Sequence, residues 1–241
     1  SIAVHLADAA ACKDNKKNGN KKGKDERFFL RFAADYLGFS CGVPIFAVEG
    51  CGKFRTETQN KEVFMAYIKE VRGHTPRVGE GTFVAETAVL IGDVTVGRDS
   101  SIWFNTVLRG DVNSITVGDR TNIQDGTVIH TLYDGAPHPS QTHIGNDVSI
   151  GHNATIHGAI IEDNCLIGMG ATVLDNAVVA SGCIVAANAL VLSGTKLKPN
   201  SVYAGVPARK VKEITPQQRE EIIHRIAHDY RMYASWYEED K

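Results

Sequence analysis

Apolar positions in this chain recur every six residues over most of its length, a period that fits neither an α-helix nor an ordinary strand. From Ile161 an aliphatic residue returns at Ile167, Val173, Val179, Val185, Val191 and Leu197. Four places after each of the first six stands a small residue: Cys165, Ala171, Ala177, Cys183, Ala189 and Thr195. Upstream the same step links Val84, Leu90, Val96, Ile102 and Leu108, then Val117, Ile123 and Ile129, then Ile144, Ile150 and Ile156. Each hexad predicts a short strand and a corner, with the aliphatic side chain pointing into a prism and the small residue fitting the turn. One unit cannot bury its own apolar face, so coils must stack, about 4.8 Å apart, into a parallel β-helix.

The period leaves the hand of the solenoid open. The pattern resembles the hexapeptide-repeat superfamily, which implies a left-handed, three-sided prism with three hexads in each coil. The fold class expected is therefore mainly β, a left-handed parallel β-helix with a C-terminal α-helix. That helix is legible in Thr215, Pro216 and Gln218, which read as an N-cap, a proline at N1 and a capping-box glutamine. Ile222, Ile226, Tyr230, Tyr233 and Tyr237 follow at helical spacing. His224 and His228 are four apart, a spacing able to bind metal, but they lie opposite this stripe and are assigned to a solvated face.

Residues 1–64 hold no hexads. Lys13–Lys24 is a Lys/Asn/Gly run expected to be solvated, and the more apolar Phe28–Phe46 could form a helix and a short strand. The chain thus divides into an extension over 1–64, outside the repeat and partly disordered, a β-helix domain over 65–211, and a helix within 212–241.

Composition narrows the function classes. A net charge of −2 gives no global attraction to nucleic acid or anionic membrane. The 20 uncharged residues between Asp175 and Lys196 are long enough to cross a bilayer, yet they continue the hexads on either side, so no membrane span is assigned. Five cysteines, an odd count without a C-x-x-C pair, argue against a disulfide framework and fit a reducing cytoplasm. Ser1–Ala11 lacks the pattern of a secretory signal. Cys165 and Cys183 fill small-residue slots and are assigned to packing.

The candidate chemistry lies in three histidines. His130 follows Ile129 and His157 follows Ile156, so both take the outward position after an inward aliphatic. Between Ile129 and Ile144 the frame holds one hexad plus nine surplus residues. If those nine loop out around Leu132–Gln141, a single coil of three hexads separates the two histidines. Their imidazoles then stack where they can share a metal ion at about 2.0–2.1 Å. His152, two places after Ile150, belongs to a neighbouring face. It can join the others only from a second subunit, as threefold packing of prisms allows. A fourth position then stays open for water or substrate, the mark of a catalytic site. Three imidazoles accept Zn2+, and Fe2+ or Co2+ as well.

The flanking residues Arg109-Gly110-Asp111, Asn122-Ile123-Gln124-Asp125-Gly126 and Gly151-His152-Asn153-Ala154-Thr155-Ile156-His157-Gly158 stand in the order seen in γ-class carbonic anhydrases. That resemblance, from about Met65 to the C-terminal helix, implies a homotrimer hydrating carbon dioxide to bicarbonate, with His130, His152 and His157 as metal ligands. It implies an interface ion pair of Arg109 with Asp111, and Gln124 and Asp125 orienting the water. Two departures bear on rate. Val112 stands where the archaeal type has a glutamate, and the loop carries only Asp134 before Gly135-Ala136-Pro137-His138-Pro139. His138 or His143 is left as a proton carrier. The alternative is a CoA-dependent acyltransferase, whose closing segment Tyr203–Lys210 resembles; a third reading is a trimeric ligand-binding or assembly module without catalysis.

Overall fold

The computed structural model describes residues 65–135 and 140–239. Three faces build a prism. Short parallel strands stack on each, and every inward aliphatic of the runs from Leu90 to Val191 is almost wholly buried. The small corner residues Cys165, Ala171, Ala177 and Cys183 are completely enclosed, because no larger side chain fits where the chain turns. Two longer strands, Val89–Val96 and Val107–Val117, bend round a corner and join two faces into one eleven-stranded sheet. The third face is an eight-stranded sheet running from Phe83–Val84 to Arg209–Glu213, the last strand antiparallel to Ser201–Ala204. The mainly β, parallel β-helical class is thus present.

The residue just before each small corner residue takes up the left-handed region. Asn164, Asn176, Asn188 and Asn200 supply it at φ 56°, 58°, 57° and 52°; asparagine tolerates this region better than most residues with a side chain. Their regular recurrence at every second hexad is a further signal of the prism beside the aliphatic one.

Register along the third face measures each coil. The pairs are Val84↔Ile102, Ile102↔Ile123, Ile123↔Ile150, Ile150↔Ile167, Ile167↔Val185 and Val185↔Tyr203. The first and the last two span three full hexads. The second is longer by three residues and the third by nine, while the fourth is shorter by one. The three surplus residues lie between Gly110 and Ile115. The nine lie between His130 and Thr142, as the hexad frame requires, and one residue is missing between Ile156 and Ile161.

The C-terminal helix starts as its caps predict. The Thr215 side chain accepts from the Gln218 backbone N–H, Gln218 reaches back to the Thr215 N–H, and Pro216 opens the turn. Arg219–His224 then widens into a π-turn before the helix Arg225–Glu239. The extra residue rotates the buried stripe by one place. Ile223, Ala227 and Ala234 therefore face inward, while Ile222 and Ile226 are only half-buried. His224 sits half-buried with its Nδ1 3.0 Å from Glu220, whereas His228 is solvated. Tyr230, Tyr233 and Tyr237 pack with Phe83, Trp103 and Phe104 into an aromatic patch against the third face, Trp103 and Tyr230 meeting edge-on at 5.4 Å.

Candidate metal site

Parallel pairing puts His130 and His157 side by side. The strands Val128–His130 and Thr155–His157 align residue for residue, with His157 opposite His130. Both rings point outward, and His130 Nδ1 lies 3.1 Å from His157 Nε2. The far nitrogen of each ring meets a carboxylate. His130 Nε2 is 3.0 Å from Asp111 Oδ1, and His157 Nδ1 bonds Asp175 Oδ1. An ionised carboxylate only accepts, so the ring hydrogens sit on the sides facing Asp111 and Asp175. The facing nitrogens then present two lone pairs to one another, an arrangement that calls for a cation between them.

Chemistry and spacing fit a metal ion. Two imidazoles on one tetrahedral zinc at about 2.0–2.1 Å place their nitrogens about 3.3 Å apart, close to the distance seen here. A carboxylate behind each ring is the outer support usual for metal-binding histidines, fixing tautomer and aim. Arg109 extends the chain, its Nη1 2.7 Å from Asp111 Oδ2 within the same subunit. Burial is the largest influence on Asp111 and acts to raise its carboxyl, but hydrogen bonds and charge from Arg109 and His130 carry it below the usual range. Burial, joined by the charge of Arg109, holds His130 below the ordinary imidazole value despite Asp111.

His152 stands elsewhere in the fold. It follows the strand Ser149–Ile150 of the third face, with Nδ1 2.8 Å from Asp125 Oδ2 and Nε2 3.2 Å from the Tyr230 hydroxyl. By the same reasoning Asp125 takes the Nδ1 hydrogen and Tyr230 donates to Nε2. Burial first, and the charge of Asp125 second, push the Tyr230 phenol up to about 12, so it keeps that proton. Gln124 is buried beside this group and donates to Asn122, which donates in turn to Ser149. A hollow of about 320 Å³ opens here, walled by Asp125, His152, Tyr230 and the aromatic patch.

The predicted residues therefore fall into two groups in one chain: Arg109, Asp111, His130 and His157 on one side, Gln124, Asp125 and His152 on the other. Among the described residues no three His, Cys, Asp or Glu side chains converge in a metal-binding arrangement. Sequence reasoning misses Asp175 and Tyr230. Because this coil is one residue short, Asp175 sits one place beyond the position that faces His157, so hexad counting does not single it out; Tyr230 shows in the sequence only as part of an apolar stripe. Val112 presents no acid, and Asp134 pairs with Arg72 at 3.0 Å. His143 bonds Thr116 Oγ1 at 2.7 Å on another face, and His138 lies outside the described residues.

Residues 141–174 and 158–193 match the family described as bacterial transferase hexapeptide (six repeats). The chain is 55% identical over 141 residues to a probable carbonic anhydrase of Methanocaldococcus jannaschii, covering 58% of this chain and 86% of that protein. It is 40% identical to a carbonic anhydrase of Geobacillus kaustophilus, covering 70% and 90%. Against gamma carbonic anhydrase 1 of Arabidopsis thaliana, named mitochondrial, identity is 42%, covering 71% of this chain but only 61% of that protein. A solved structure titled as a putative acetyltransferase of Bacillus cereus superposes with a TM-score of 0.69 at 35% identity, covering 73% and 99%. No helix among the described residues is long and apolar enough to cross a membrane. With a hexad-built parallel β-helix and relatives that it nearly spans, this chain belongs to the γ-class carbonic anhydrase-like family of hexapeptide-repeat proteins.

Proposed function

We propose that this protein is a metal-dependent carbonic anhydrase, interconverting carbon dioxide and bicarbonate at sites between the subunits of a homotrimer. The observation that carries this reading is the pair of ring nitrogens 3.1 Å apart, each backed by a carboxylate and each with its lone pair turned to the other. His130 and His157 are the two ligands from one subunit. His152 is the third, from a neighbour, because its own fold holds it on a different face. To serve, His152 exchanges its Tyr230 hydrogen bond for coordination. A zinc-type ion, with iron(II) or cobalt(II) as alternatives, would supply Lewis acidity that lowers the pKa of water to about 7.

The chain's residues do the rest. Asp111 and Asp175 hold the His130 and His157 rings in the tautomer that faces the ion, and Arg109 keeps Asp111 ionised. Asp125 does the same for His152, and Gln124 secures the adjoining segment from the same side. Proton export is the weak step. Val112 cannot carry a proton, and Asp134 is engaged with Arg72. A reducing compartment, the cytoplasm included, is part of this reading, in keeping with an odd cysteine count that lacks a C-x-x-C pair.

The test joins elemental analysis to stopped-flow carbon dioxide hydration. We expect metal-dependent activity that rises as pH passes about 7 and is enhanced by imidazole buffer, which replaces the missing proton carrier. A metal-loaded trimer with no hydration under imidazole would overturn the assignment. Tight acyl-CoA binding by the same sample would favour the transferase reading that the acetyltransferase-titled neighbour raises.

A further inference from the structure

Arg72 lies in a tight turn at the start of the prism. Val71 and His74 exchange backbone hydrogen bonds of 3.1 Å in both directions, and the two residues between them, Arg72 and Gly73, have φ of 56° and 79°. Two positive φ values make a type I′ turn, a place that asparagine followed by glycine fills most easily. Arginine is held there in the left-handed region, and an outlier of this kind points to a role for its side chain.

The guanidinium binds two separate segments. Nη1 reaches the Asp111 carbonyl at 3.5 Å and the Val112 carbonyl at 3.3 Å, while Nη2 meets Asp134 Oδ2 at 3.0 Å. These segments are the two surplus stretches of the repeat, the one after Gly110 and the one after His130. Other bonds already sew them together: the Asp134 N–H donates to the Val112 carbonyl at 3.1 Å, and Asn113 Nδ2 to the Leu132 carbonyl at 3.2 Å. Neither stretch has the ladder of a regular coil to fix it. Asp111, at the root of the first, is the carboxylate on His130.

We propose that Arg72 is a positioning residue for the metal site. It clamps the Asp111–Val112 backbone to the loop after His130, so that Asp111 stays aimed at the His130 ring. The inference rests on the metal reading given above. Planar, forked donors suit the task, since one arginine spans two carbonyls and a carboxylate at once, whereas a lysine ammonium acts as a single point charge.

The experiment uses the full chain as the trimer, wild type beside Arg72→Ala and Arg72→Lys. Zinc release to a chelator and the visible absorption of the cobalt(II)-substituted protein are measured, together with melting of the metal-free protein. Arg72→Ala should release zinc about tenfold faster, the low end of the 10–100-fold range for outer partners of metal ligands, with a changed cobalt spectrum. Arg72→Lys, which keeps the Asp134 pair, should recover part of the loss. Melting of the metal-free protein should hardly move, because the guanidinium is half exposed and such pairs add little stability. Unchanged zinc release and cobalt spectrum in Arg72→Ala, beside a wild type that binds zinc, would overturn the role of Arg72 alone. A wild type that takes up neither metal would sink the metal reading and this proposal with it.

Discussion

The coils above Ile161 and those between Leu108 and Ile161 are built from the same hexad, but only the upper ones keep its length. Coils of three full hexads run from Ile167 to Tyr203, whereas the lower ones carry three residues too many, then nine too many, then one too few. Each departure borders the histidine pair. The three-residue surplus begins at Asp111, the nine-residue surplus follows His130, and the one-residue deficit follows His157. At that deficit Gly158 turns with φ 54°, and a Cβ there would collide with Ser140 Oγ and Asp175 Oδ1. The regular repeat thus supplies a rigid frame, while its interruptions bring a carboxylate behind each ring.

Separating frame from site is the widest test. On the proposed metal reading, His157→Ala should lower zinc affinity by more than about 100-fold, beyond the range for outer partners, and abolish hydration activity while leaving the β-helix folded. Ile167→Ala, fully buried in the frame, should cost about 2–5 kcal/mol of stability yet leave zinc affinity nearly intact. Calorimetry and zinc titration on both variants check the contrast, and equal effects of the two substitutions on zinc binding would break it. A mixture of His152→Ala subunits with His130→Ala/His157→Ala subunits should regain some sites, because intact half-sites can meet across an interface.

Asp175 sharpens the comparison, since it belongs to the upper coils yet serves the pair below. Asp175→Asn should weaken zinc binding by about 10–100-fold and alter stability little. Zinc competition titration measures this, and an unchanged affinity would return Asp175 to the frame.

Within the frame, Cys165 should be inert. Burial pushes its thiol up to about 12 from an ordinary 9.0, so iodoacetamide at pH 8 should label it only after unfolding. The sign of the linked stability follows. The folded state keeps a proton that the unfolded chain releases, so the contribution is whole below about pH 9 and is lost as pH climbs towards about 12. Labelling of the folded protein at pH 8, read by mass spectrometry, would contradict this.

The smallest effect concerns residues 1–64, which lie outside the described structure. Their removal should leave the assembly state and metal content unchanged, as light scattering and elemental analysis would show.

Hydrophobic periodicity is a local property, and it alone determined much of this protein. The hexads, the looped-out surplus before Ile144, the stacking of His130 on His157 and the capped start of the C-terminal helix were all legible without coordinates. The family motifs named Arg109, Asp111, Gln124 and Asp125 beside the histidines, but not how they divide. Only tertiary structure decided that Asp111 supports His130 while Asp125 supports His152, because partners chosen across coils depend on how many residues each coil holds. It also decided that Asp175 backs His157, that Arg72 ties two surplus stretches together, and that a π-turn rotates the helix to bury Ile223 rather than Ile222. The physical reason is common to all three: a change in the number of residues in a coil or helix re-aims the side chains around it, and no short-range pattern records where the chain returns.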